Sequence, residues 1–162
     1  MSSTEFVSDS SASTEAFAAQ WAGTLAPDTA ILLRGDLGAG KTTFVRGLAR
    51  GLGVTEPVRS PTFTLTHEYT IQQPPTLRGL PLFHIDLYRI ENPAQLHTVG
   101  LDEVFERRGI AAIEWAERLE LWGESIPVAH LWTVRLIPLS DTQRRIVIEC
   151  LRTASTITDI TP

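Results

Sequence analysis

The stretch Gly35-Asp36-Leu37-Gly38-Ala39-Gly40-Lys41-Thr42 constrains this chain more than any other. It fits G-x-x-x-x-G-K-[ST] in full and lies between two segments of different character. Before it, Ala30 to Leu33 is a short unbroken apolar run, the pattern of a buried strand. After it, "KTTFVRGLARGLG" reads as a helix ending at Gly51 or Gly53. Strand, glycine loop and helix in this order make a phosphate cradle. The glycines let backbone N–H groups turn onto an anion, and the helix N-terminus points at it. Gly38, Ala39, Gly40, Lys41, Thr42 and Thr43 are therefore expected to hold a nucleotide. Lys41 bridges the β and γ phosphates in this reading, and the Thr42 hydroxyl ligates Mg²⁺.

Composition sharpens the point. The chain has one lysine, Lys41, against thirteen arginines. The only lysine stands where the motif needs a compact ammonium, which is hard to explain as surface solubilisation. Of the rest, 43% hydrophobic and 20% charged residues describe an ordinary soluble globule. No apolar run approaches the ~18 residues of a bilayer span. The first ten residues, "MSSTEFVSDS", are polar and acidic, unlike a secretory signal, so a cytoplasmic protein is expected. Cys150 is the only cysteine and reads as a small buried hydrophobe. The net charge of −5 offers no support for direct nucleic-acid binding.

The remaining pattern alternates strands with helices. "EFVSD" is a short first strand, and "SASTEAFAAQWAGTL" a helix with Phe17, Trp21 and Leu25 at four-residue intervals. "VRSPTFTLTHEYT" is loop then strand, and "IQQPPTLRGLP" a Pro-rich exposed loop or turn. "LFHIDLYR" and "IAAIEW" are strands. Between them lie two short helices broken at Gly100, the first capped by Asn92-Pro93. "AERLELWGESIP" is a helix or turn. "LWTVRLIPL" and "RRIVIECL" form a closing β-hairpin. The expected fold is α/β, a P-loop NTPase fold with a mixed, mostly parallel sheet flanked by helices and the antiparallel hairpin at one edge. Residues 1–152 form one domain in this reading, and 153–162 a flexible tail.

Mg²⁺ needs an acidic partner at the end of a neighbouring strand. Asp86 closes "LFHID" and Glu114 closes "IAAIE", and both stand where ligands gather in open α/β sheets. Ser60-Pro61-Thr62 lies between the cradle helix and the next strand, where switch proteins place a threonine that senses γ-phosphate. The four histidines show no metal-ligand spacing. A guanine-reading Asn-Lys-x-Asp box cannot exist, because the single asparagine, Asn92, precedes Pro93. ATP or ADP is thus favoured over GTP. Two functional classes survive: a regulatory ATPase acting on a partner, and a small-molecule kinase. The second needs lid arginines over the γ-phosphate, for which Arg107-Arg108 and Arg144-Arg145 are the candidates.

"GDLGAGKTTFVRGLARGLG", "VRSPTFTL", "HIDLYR" and "IEWAER", in this order, resemble the bacterial tRNA threonylcarbamoyladenosine biosynthesis ATPases of the TsaE (YjeE) family, over about residues 10 to 150. The chain departs from the pattern at Ala116, where proline often follows the tryptophan, and in a longer "IQQPPTLRGLP" loop. The resemblance implies slow Mg²⁺-dependent ATP hydrolysis that drives or resets a TsaB–TsaD complex, with tRNA contacted only indirectly and no membrane involved. Carried onto this sequence, it makes Lys41 the phosphate lysine, Thr42 and Glu114 the Mg²⁺ ligands, and Asp86 a switch or Walker-B-like acid near the metal. It makes Thr62 the switch threonine and sets Trp115 beside the nucleotide. Thr14 and Arg144 are implied as further nucleotide contacts. Asp86 and Glu114 both stand as the acid that orients the attacking water.

Overall fold

The computed structural model describes residues 2–154. Of the tail expected over residues 153–162, everything from 155 onward lies outside the described residues. In chain order the elements are β1 (Ser3–Ser8), α1 (Ser11–Ala22), β2 (Thr29–Arg34), α2 (Lys41–Gly51), β3 (Thr66–Thr70) and β4 (Pro81–Asp86). A 3-10 turn (Pro93–Thr98), α3 (Leu101–Glu106), β5 (Ile110–Glu114), α4 (Glu117–Leu121), β6 (His130–Pro138) and β7 (Arg144–Arg152) follow. The seven strands form one sheet in the order β1-β7-β6-β2-β5-β4-β3.

Strands β6, β2, β5 and β4 run parallel at the centre. The antiparallel strands flank them on both sides, β3 on β4 at one edge and the β7–β1 pair on β6 at the other. The hairpin adds antiparallel strands at one edge of a mixed sheet, as expected, and β3 on β4 makes the opposite edge antiparallel as well. The short connection from β3 to β4 has no helix of its own, and without a crossover the chain turns back antiparallel. In that connection the Pro-rich stretch is not wholly exposed. Leu77 is fully buried in the core, and the Ile71 N–H and the Gly79 N–H close the loop onto Leu80 O and Ile71 O.

Period-two alternation sorts the central strands onto two cores. Ile31, Leu33, Ala112 and Leu82 face α1 and α2, while Ala30, Leu32, Ala111, Ile113 and Ile85 face α3, α4 and the 3-10 turn. On β4 and β5 the α2 side also receives His84, Asp86 and Glu114, each two residues from its neighbour on the same face.

Helix α1 seats itself by small residues. Its buried positions are Thr14, Ala18 and Ala22, with Phe17 and Trp21 flanking rather than filling the contact. The reason lies on α2. A Cβ at Gly47 would come within 2.7 Å of Ala18 Cβ, and one at Gly51 within 2.8 Å of Ala22 Cβ. Glycines one helical turn apart allow the backbones to approach closely, and the aromatic side chains are displaced to the rim. There Phe17 stacks on Phe6 with centroids 4.4 Å apart, and Trp21 meets Trp132 edge-on at 5.5 Å. Ser10 caps α1 by accepting from the Ser13 N–H at 3.0 Å.

Candidate functional site

The carboxyl ends of β2, β5 and β4 open onto a cleft of about 430 Å³. The glycine loop closes one side of it. Gly38 and Gly40 both take left-handed backbone angles, φ 80° and 103°, and a Cβ at Gly38 would meet nothing within 4 Å. Gly40 is the N-cap of α2 and supplies no side chain, so the first N–H groups of the helix are left to whatever enters the loop. Gly35 admits no side chain for another reason: a Cβ there would stand 2.9 Å from Leu136 O.

Lys41 is buried at 5% exposure. Its ammonium donates to Gly35 O and, at 3.2 Å, to Asp36 O, and lies over the Trp115 ring. Burial pulls its pKa below the ordinary lysine range, against the carboxylates of Glu114, Glu117, Asp86 and Asp36, which act to raise it. Trp115 reaches this position because its own backbone is left-handed, φ 59°. For a bulky residue that conformation costs about 1–3 kcal/mol and persists only where the surroundings impose it. Tyr88 packs on the same ring at 5.1 Å.

Asp86 and Glu114 are register partners on adjacent parallel strands, both 4% exposed. Glu114 Oε1 accepts from Thr42 Oγ1 at 2.8 Å and from His84 Nε2 at 2.7 Å. Asp86 Oδ1 accepts from the Tyr88 N–H at 2.9 Å, and Oδ2 from Thr62 Oγ1 at 3.2 Å. Burial raises the Asp86 pKa above the usual carboxylate range, and the neighbouring Glu114 charge adds to it. The hydrogen bonds from Tyr88 and Thr62 and the His84 ring oppose the rise. Thr62 rides on a loop held at its far end by Leu65, whose N–H donates to Pro61 O at 2.7 Å and whose carbonyl accepts from the Asp86 N–H at 3.0 Å.

Most of the residues singled out from sequence thus converge here. Gly38 to Thr43, Thr62, Asp86, Glu114, Trp115 and Arg144 all line the cleft. Arg144 reaches across from β7 to donate to Ala39 O at 3.1 Å. Thr14 does not belong to the cleft and is corrected. It is fully buried, and its hydroxyl shares a 2.7 Å hydrogen bond with Ser8, tying α1 to β1. The residue that α1 does bring to the cleft is Ser11, one turn earlier. Arg107 also lies elsewhere, paired with Glu68 at 2.7 Å beyond the amino end of β5, with Arg108 beside it. Arg46 and Tyr88 line the cleft without having been singled out, and Leu37 and Ser60 join it from the two stretches that were, without having been assigned a role of their own. A signal existed for two of them: Arg46 falls one turn after Thr42 on α2, and Tyr88 follows Asp86 by two.

Among the described residues no group of three or more His, Cys, Asp or Glu side chains gathers as a metal cluster. The donors near Thr42 are oxygens from one hydroxyl and two carboxylates. Hard oxygen donors in that small number suit a cation that keeps most of its coordination for water and phosphate. No helix among the described residues is long and apolar enough to cross a membrane.

Fold and cleft together define a mixed α/β protein with a glycine-loop pocket at the carboxyl ends of its parallel strands. Within that class the chain belongs to the TsaE family. The family model for threonylcarbamoyl adenosine biosynthesis protein TsaE matches residues 8–146. Two proteins named tRNA threonylcarbamoyladenosine biosynthesis protein TsaE are among its relatives. The one from Nostoc is 50% identical over 100 residues, covering 59% of this chain and 57% of the relative. The one from Bacillus subtilis is 43% identical over 121 residues, covering 75% and 70%. The chain therefore spans little more than half the length of the Nostoc relative. The crystal structure of Bacillus subtilis YdiB superposes with a TM-score of 0.68 at 32% identity, over 91% of this chain and 84% of that one. The resemblance carried by the four sequence motifs is thereby borne out at the level of the family.

Proposed function

We propose that this chain has a P-loop fold, binds ATP with Mg²⁺ in the cleft and hydrolyses it slowly, and that hydrolysis drives or resets a TsaB–TsaD complex during threonylcarbamoyladenosine modification of tRNA. The observation that carries the reading is the meeting of Thr42, Glu114 and Asp86 beside the glycine loop and the buried Lys41. These residues come from three separate stretches of the chain, and ordinary packing gives no reason to crowd two carboxylates and an ammonium there. The relatives' names supply the tRNA-modification pathway.

In this mechanism the loop N–H groups and the α2 N-terminus take the phosphate oxygens, and Lys41 exchanges its carbonyl partners for the β and γ phosphates. Thr42 and Glu114 would hold Mg²⁺, which when bound neutralises charge on the phosphates. Asp86 orients the attacking water, and Thr62, hydrogen-bonded to it, links the 60–65 loop to the γ-phosphate position. Arg144 braces the loop through Ala39 O. Phosphoryl transfer asks mainly for positioning and charge neutralisation, and these groups provide both. Of the kinase alternative's candidate lid pairs, Arg107 is paired with Glu68 away from the cleft, whereas Arg144 lines the cleft and is spent on Ala39 O, so the alternative keeps one arginine there. An acidic chain of net charge −5 leaves tRNA contact to its partners.

The test is ATP turnover by the purified protein with Mg²⁺, alone and with TsaB and TsaD. The reading expects slow turnover alone, stimulation by the pair, and multiple-turnover tRNA modification that depends on this chain. Turnover indifferent to the pair, with no effect on tRNA modification, would reopen the kinase alternative.

A further inference from the structure

His84 is fully buried on β4, two residues before Asp86 and on the same face of the sheet. Among the described residues its side chain has one hydrogen bond, from Nε2 to Glu114 Oε1 at 2.7 Å. Its other ring nitrogen, Nδ1, is buried with no partner among the described residues. A buried polar atom without a partner costs stability, and an apolar side chain would fill this place without that cost. The ring is thus poorly explained as packing and better explained by what Nε2 does. An ionised carboxylate only accepts, so His84 is the donor. The oxygen it holds is the same one that takes the Thr42 hydroxyl, and no described donor reaches Glu114 Oε2.

We infer that His84 is a positioning residue for the cation site: its Nε2–H fixes one oxygen of Glu114 against Thr42 and leaves the other to face the metal. The inference rests on the reading of Glu114 as a Mg²⁺ ligand. Outer partners that orient a ligating carboxylate commonly change metal affinity by about 10- to 100-fold when removed. Here the carboxylate sits at a strand end, next to Asp86, with no other side-chain donor than Thr42 to hold it. Without His84, repulsion from Asp86 would swing it away.

The experiment compares His84→Gln with His84→Asn. Both are neutral amides of similar polarity, so both leave a buried polar group. Only the glutamine places its amide nitrogen near the position of Nε2, whereas the asparagine stops near Nδ1. ADP affinity is measured by calorimetry across a Mg²⁺ titration, with thermal melting recorded for each variant. Expected is a half-saturating Mg²⁺ concentration within a few-fold of wild type for H84Q and raised about tenfold for H84N, with metal-free ADP affinity unchanged in both. Equal behaviour of the two variants, whether both normal or both impaired, would overturn the inference and leave His84 a packing residue. A wild-type protein whose ADP affinity does not respond to Mg²⁺ would remove the reading of Glu114 itself, and the inference with it. A wild-type response preserved in H84N removes the inference alone.

Discussion

The ammonium of Lys41 sits 4.1 Å from the centre of the Trp115 ring while donating to the carbonyl oxygens of Gly35 and Asp36. The protein thus supplies its own weak ligands to a cation that burial has made costly to keep charged. On the proposed reading, an incoming phosphate would replace these neutral acceptors with a charged one, an exchange that would favour the anion.

Lys41→Ala is therefore expected to weaken ATP and ADP binding by roughly 100-fold, the scale of losing one charge-assisted hydrogen bond of about 3 kcal/mol. Calorimetric titration of each nucleotide checks this. Affinity equal to wild type would remove Lys41 from the phosphate site.

Glu114→Ala separates catalysis from nucleotide grip. Turnover should fall by about 10²- to 10³-fold, the usual effect of removing one electrostatic group from a preorganised site. ADP affinity in chelator should stay near wild type, because Glu114 faces Thr42 rather than the loop amides. Retained turnover in a folded variant would move the metal role to Asp86.

Asp86 predicts a pH dependence of stability in the protein free of metal and nucleotide. Its folded pKa is raised, chiefly by burial, so the folded state binds a proton more readily than the unfolded chain. Its favourable contribution is present below the unfolded carboxylate pKa and is lost as pH rises through the higher folded value. Asp86→Asn does not titrate and keeps partners for Tyr88 and Thr62. Its stability advantage over wild type should grow from acid to neutral pH and then level off. Denaturant unfolding at several pH values measures this, and an advantage constant with pH would contradict it.

Gly47→Ala tests the α1–α2 crossing. Helix propensity alone would favour alanine by about 1 kcal/mol. Against it, the new Cβ would press on the Glu15 carbonyl oxygen and lie 2.7 Å from Ala18 Cβ, and backbone cannot rotate aside as a side chain can. Overpacking of this kind costs about 1–3 kcal/mol, so the clash is expected to win. The melting temperature should drop by several degrees, at ~2–4 °C per kcal/mol for a domain of this size. A rise would mean that the helices separate at little cost.

The sequence by itself determined the parts of the site that depend on local order. The glycine loop, Lys41 and Thr42 are consecutive, and the strand before and helix after them are written in adjacent periodicities. Asp86 and Glu114 were legible because a charge ending an apolar strand is out of place unless something binds it. Tertiary structure decided the rest. Thr14 and Ser11 both lie in the first turns of α1, and only the packing of that helix in the tertiary fold, with Thr14 bonded to Ser8 of β1, buries one and leaves the other at the cleft. His84 looks in sequence like any strand histidine. Its role depends on parallel pairing with β5, which brings it to Glu114 across 30 residues of chain. Local order fixes which groups exist and which way they alternate, but the register between strands and the distance between helices are set by packing of segments far apart in the chain, which no window of sequence contains.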